Sequence, residues 1–370
     1  MFANCTYLPA TPEALTATLD DWRGASASRG ALLLLPEAEA QVLPALQQVF
    51  RARDIPLVGA IFPKLVQQGD FVDQGAWLIT LDPMPAHFLL DRLGSGQRTA
   101  HSRIASAARE RKGNAERPTL FLIFDAMVPN IGSILDGVYR SERSGFRYAG
   151  VNAGSESFQP MPCLFDRDTL LGDGVLGLVL PDQTPTTAHG YPVGKSLMQA
   201  TSAVGNRIEL IDRRPAMEVY RDVIAAEFGI TLTPENFYDY AVHFPFGVVS
   251  ALDVMVRIPV SFDPDGSIYC VGEVPNQAIL RLLRAPGPDS NACIDSIAGA
   301  LPGLGGRDWL LTFYCAGRRM HFGAAASDEL GRLAATTGVG ALAGALSLGE
   351  ITTSAEFGIP EFHNAAIVCL

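Results

Sequence analysis

The sequence has no cysteines paired at metal-binding or redox spacing. Its six cysteines, at positions 5, 163, 270, 293, 315 and 369, are scattered, and no two form a C-x-x-C pair. That spacing argues against a zinc site or a disulfide framework, and cysteines set among aliphatic residues read as small core residues in a reducing compartment. Charge is scarce as well: 18% of residues are charged and the net charge is −11. A chain of that sign is not expected to bind nucleic acid or an anionic membrane. The opening MFANCTYLPATPEAL has neither a basic start nor an apolar core, so no secretory signal is expected. No apolar run reaches the roughly 18 residues of a spanning helix. The nearest, Leu333 to Gly349, is mostly Ala, Gly and Thr and reads as a buried core element. A cytoplasmic protein is the expectation. Walker, H-E-x-x-H and EF-hand patterns are missing too.

What is present is repetition. Three segments open on Arg and an apolar run: RGALLLLPEA from Arg29, RPTLFLIFDA from Arg117 and RDWLLTFYCA from Arg307. Each continues with a helical stretch, then a short strand around a glycine (PLVGAIF, RYAGVNAG, GALAGALSLG), and closes on an apolar strand (GAWLITLD, GVLGLVLP, NAAIVCL). The runs that open each copy are apolar throughout, as in strands covered on both faces. A strand-helix-strand unit favours a parallel, right-handed crossover, and the closing strands add antiparallel pairs. The expected fold is therefore α/β: a two-half protein of repeated strand-helix-strand-strand units with mixed sheets. The Pro- and Thr-rich stretch Pro181 to Pro192 marks the boundary between the halves. This gives a first domain over 1–187, holding repeats 29–82 and 117–180, and a second over 188–370, holding an insert (188–300) and a third repeat (307–370).

Within the insert, turns are expected at Gly205-Asn206, at Asp212-Arg213 and at Asp263-Pro264-Asp265-Gly266. A helix is expected after Pro215, and PNQAILRLLRA, Pro275 to Ala285, reads as a further helix. Gly94 to Arg117 reads as a solvated helix or linker.

These residues resemble a known family. HGYPVGKSLMQATSAVGNRIELIDRRPAMEVYRDVI is similar to the start of the C-terminal half of FIST-domain proteins, through Pro192, Gly194, Gly205, Asn206, Ile208, Asp212, Pro215, Ala216 and Tyr220. Cys315, Gly317 and Arg318 match a Cys-x-Gly-Arg segment of that family. Gly349, Glu350 and Ile351 match its GEI segment, and Asn364 and Val368 match its ending. Gly150, Ala153 and Gly154 resemble the small-residue turn of the N-terminal half. The first repeat departs from the family's pattern: it reads VGAIFPKLVQQG where many members carry a Cys and a Glu.

The resemblance implies an intracellular sensory module that binds a small ligand, with amino acids proposed. Its output would pass to a separate histidine kinase or cyclic-dinucleotide enzyme, as in two-component signalling. A subgroup of the family looks like b-type haem proteins that sense nitric oxide. The oligomeric state is left open, a homodimer included. Ligand-binding candidates are Arg318, Glu350, Cys315, Ser347 and Asn364, in a pocket where CAGR, SLGEI and HGYP converge. Arg318 and Glu350 could meet a ligand's carboxylate and amine. They could equally pair with each other or with backbone groups, because buried charges need partners. For haem, His189 is the candidate iron ligand with Tyr191 beside it, and His243, His321 and His363 are rivals. The contrasting class is a hydrolase or transferase using Ser347 or Cys315 as nucleophile.

Overall fold

The apolar runs that open the repeats are buried strands, Gly30–Pro36, Thr119–Asp125 and Leu310–Cys315, and each starts a sheet of its own. The computed structural model describes residues 2–22, 28–94, 97–142, 145–181, 183–250, 254–301, 308–354 and 358–370. In every repeat the opening strand pairs in parallel with the glycine-centred strand: Leu57–Phe62, Arg147–Ala153 and Leu342–Ser347. The closing strand returns antiparallel on the other side of the opening one: Ala76–Leu81, Val175–Leu180 and Ile367–Cys369. Helices Leu43–Ala52, Ile131–Glu142 and Ala325–Thr337 make the crossovers.

The glycine recurs for a steric reason. A Cβ on Gly59, Gly150 or Gly344 would stand 2.2, 2.0 or 1.8 Å from the carbonyl oxygen of Leu33, Leu122 or Thr312 on the paired strand. Only a residue without a side chain allows that approach.

Between the glycine strand and the closing strand each repeat extends a hairpin, and each hairpin joins another repeat's sheet. The first repeat's hairpin pairs with the third repeat, Leu65 opposite Ala345. The second repeat's hairpin pairs with the first, Leu164 opposite Ala60. The third repeat's hairpin pairs with the second, Glu350 opposite Val151. The exchange closes a ring of three mixed sheets. One core fills its centre, where Phe313 contacts Phe62 and Phe121 with ring centroids 5.6 and 5.9 Å apart. Each such fully buried side chain contributes roughly 1.5–3 kcal/mol of apolar transfer.

Among the described residues the recurring Arg has no common role. Arg29 ion-pairs with Asp82 at 3.0 Å, Arg117 donates to the Phe146 carbonyl, and Arg307 lies outside the described residues.

The insert is an antiparallel sheet of its own, with helix Ala216–Phe228 packed on it. Its turns stand where expected: Val204 opposes Arg207 around Gly205-Asn206, Ile211 opposes Arg214, and Phe262 opposes Ile268. Pro275 to Ala285 is not the expected helix. Ile279–Leu283 is a strand between Val193–Val204 and Phe246–Val249. Leu280 and Leu282 are buried on one face while Arg281 points to the other, a period of two that the apolar run disguised. Gln97–Arg111 is a helix, packed on its apolar side through Ala100, Ile104 and Ala108. No helix among the described residues is long and apolar enough to cross a membrane.

Candidate functional site

The third repeat brings four of the sequence candidates together. Cys315 ends the opening strand, Ser347 ends the glycine strand, Glu350 begins the exchanged hairpin and Asn364 follows it. Glu350 is fully buried. Its Oε1 accepts from Ser347 Oγ at 2.6 Å, and its Oε2 accepts from the Ala366 amide at 3.3 Å. Burial raises its pKa to about 7, against the pull of Ser347, Ala366 and the Cys315 thiol, which all favour the charged form. Cys315 Sγ accepts from the Ala365 amide at 3.0 Å. Burial pushes the thiol well above its ordinary range and the Glu350 charge adds to this, while amides of Ala365, Arg318 and Gly317 oppose it. Asn364 is buried, accepting from the Ile258 amide and donating to the His363 carbonyl.

Arg318 sits one turn into the helix Ala316–Phe322 and is fully engaged. Its Nε and Nη2 donate to both oxygens of Glu329 at 2.8 and 2.6 Å. Its Nη1 donates to the carbonyls of His189 and Ala365 at 2.5 and 3.0 Å. Tyr314 donates to the same Glu329 at 2.7 Å. Glu329 belongs to no recognisable motif. A signal for it was there: Ala326, Glu329, Leu330 and Leu333 fall on one helical stripe that turns out to be buried, and a carboxylate on such a stripe needs a cation.

His189 does converge on this place, though by its backbone. Its carbonyl takes Arg318, its Nδ1 accepts from the Tyr191 amide at 3.0 Å, and its ring stacks 6.0 Å from that of His363. Tyr191 is buried, with its hydroxyl 2.6 Å from His321 Nδ1. His363 lies 3.5 Å from Glu361 and His243 lies 6.0 Å from His321.

A cleft opens beside Cys315. Its floor is Cys315, Ala316, Gly317, Leu348 and Asn364 of the third repeat. Its far wall is Ile258, Val260, Val271, Tyr238 and Val242 of the insert, and Glu156 and Phe158 of the second repeat stand at its side. Its open mouth included, it holds about 610 Å³ of space. Through Phe158, Tyr238, Val260, Val271 and Leu348 it continues into a second crevice that reaches Asn152 and Glu273. The exposed side chains of Met127, Phe158, Tyr238 and Met320 line these two crevices. The cleft thus lies beyond the carboxyl ends of the parallel strands, where open α/β sheets bind ligands. No sequence pattern announced the insert's contribution, because those residues are ordinary aliphatics until the fold sets them opposite Cys315.

Two family models cover most of the chain: the FIST N domain matches residues 31–214 and the FIST C domain matches residues 216–353. The chain belongs to the FIST family. No curated protein matches it. FIST domains are associated with signal sensing and ligand binding. In this FIST protein the two matched regions interlock, since the FIST N hairpin at 65–72 completes the third repeat's sheet and Glu350–Thr353 of FIST C joins the second repeat's. The models divide after residue 214, inside the insert, whereas composition placed the boundary at 187.

No histidine lines the Cys315 cleft, and His189 is held by Tyr191 and stacked on His363 rather than turned to the cleft. Among the described residues no cluster of three metal-binding side chains occurs.

Proposed function

We propose that this FIST protein is a sensory module whose small-molecule ligand occupies the cleft between the third repeat and the insert. The observation that carries the reading is the composition of that cleft: an apolar chamber at strand ends whose opposite walls belong to different parts of the fold. A ligand filling it would favour one spacing of insert and ring, and that preference is what a sensor transmits. The ligand class that suits the lining is compact and largely apolar, with a donor or cationic group toward Glu156 and the Asn364 amide at the floor. Amino acids with apolar side chains are the first class to try. Arg318 and Glu350 would support the floor from behind, since both have internal partners. The apolar rim of Met127, Phe158, Tyr238 and Met320 is the natural place for a separate output protein, a histidine kinase or a cyclic-dinucleotide enzyme, to read the change.

A thermal-shift screen with amino acids, small amines and apolar carboxamides tests this. A stabilising hit that is lost in Val260→Trp, which fills the cleft, supports the reading. A hit retained in that variant rejects the cleft as its site.

A second reading rests on Cys315 and Glu350. The Sγ–H proton would pass to Glu350 and the thiolate would add to a thioester carbonyl; the adduct would expel the ligand's thiol, which takes the proton back from Glu350, and water or an acceptor would then release the acyl group from Cys315. Ser347, the other nucleophile considered, donates to Glu350 from a fully buried position off the cleft. Turnover of small thioesters that disappears in Cys315→Ala would favour this reading; its absence would leave the sensor alone.

A further inference from the structure

The far side of the Ala316–Phe322 helix borders a separate cleft, which holds about 730 Å³ of space with its open mouth included. Tyr240, His243, Phe244, Arg284 and His321 are among its walls. It takes no part in the ligand reading above, yet its polar groups are unusually ordered.

The order starts with Tyr191. Its phenol is buried and its hydroxyl stands 2.6 Å from His321 Nδ1. Burial raises the phenol's pKa well above its ordinary value, so it keeps its proton; Nδ1 is the acceptor within reach of that buried O–H, and the reverse direction would leave the O–H unmet. The imidazole is neutral, because burial, then the charges of Arg318 and His243, lower its pKa to about 3. A neutral ring that accepts at Nδ1 must carry its hydrogen on Nε2. That Nε2–H is buried and meets no acceptor among the described residues. Unmet buried donors are costly and call for an explanation.

Arg284 supplies one. It is exposed, lies over the Phe228 ring at 5.8 Å, and has no carboxylate in ion-pairing reach among the described residues. It therefore brings a positive charge to the same cleft whose wall holds an unmatched donor.

We propose that this cleft is an oxyanion site, in which the Arg284 guanidinium takes the charge of a carboxylate or phosphate and His321 Nε2–H donates to one of its oxygens. A planar fork beside a single N–H suits that chemistry. Tyr191 is a positioning residue: it fixes the tautomer without touching the anion.

The test is a long-range proton–nitrogen NMR spectrum of the full chain's histidines, recorded during separate titrations with inorganic phosphate and with acetate at constant ionic strength. The expected spectrum shows His321 as the Nε2–H tautomer, with a resonance that shifts saturably with phosphate, acetate or both. The responding anion identifies the class. Arg284→Ala, an exposed change, should weaken that saturation at least tenfold, and Tyr191→Phe should let His321 sample both tautomers. A His321 that carries its proton on Nδ1, no saturable shift, or a shift equal in Arg284→Ala (an adventitious ion only) would overturn the proposal.

Discussion

Arg318 and Glu329 form a two-point ion pair in the interior, Nε to Oε2 at 2.8 Å and Nη2 to Oε1 at 2.6 Å, with both side chains essentially sealed from solvent. The pair ties the helix that follows Cys315 to the crossover helix, and Arg318 Nη1 carries the tie on to the His189 and Ala365 carbonyls. It therefore holds the floor of the Cys315 cleft against the segment that leads into the insert. Removing one partner of such a pair leaves a buried charge uncompensated. Glu329→Ala should lower stability by about 3–5 kcal/mol, read as a fall in the urea midpoint at unchanged slope. A loss under 1 kcal/mol would show that solvent reaches Arg318.

Glu350 sets a pH dependence. Its folded pKa is about 7, above the ordinary 4.5. A raised carboxyl pKa means the folded state binds the proton more tightly than the unfolded one. The stability it contributes is complete below about pH 4.5 and is lost as pH rises toward 7, on the order of 3 kcal/mol in total. Glu350→Gln should flatten that part of the stability curve in urea titrations between pH 5 and 8. An unchanged slope would mean that Glu350 is ionised throughout.

The pinched strands make a steric expectation. Gly344→Ala places a methyl group 1.8 Å from the Thr312 carbonyl, so the two parallel strands must separate. Overpacking of this kind costs about 1–3 kcal/mol. Gly299→Ala, where a Cβ would meet nothing within 4 Å, is the control. Equal thermal midpoints for the two variants would contradict the close-approach argument.

Haem gives a spectroscopic test. With His189 held against Tyr191 and His363, titration with haem should give no Soret band that depends on His189. A band abolished by His189→Ala would show that the segment around it rearranges to take the iron.

Much of this was legible in the residues. The three apolar runs, the glycines at their centres and the strand endings gave the repeat, because burial on both faces and strand pinching leave direct marks on sequence. The exchange of hairpins was not legible: Leu65, Leu164 and Glu350 carry no sign of which sheet they will join, and only the closed ring decides it. The Ile279–Leu283 strand was hidden because a short run such as AILRLL satisfies both periods. The motifs singled out Cys315, Ser347, Glu350 and Asn364, of which Cys315 and Asn364 line the cleft while Ser347 and Glu350 stand behind it. They did not single out the insert wall, Ile258, Val260 and Val271, because aliphatic residues identify a pocket only once their partners are in place.

The most direct measurement is hydrogen exchange with and without a ligand found in the stabilisation screen. Slowed exchange is expected on both walls of the cleft together, around Gly317 and Leu348 on one side and Ile258 to Val271 on the other. Protection confined to one wall, or centred on the Arg284 cleft instead, would contradict the claim that the ligand joins the insert to the third repeat.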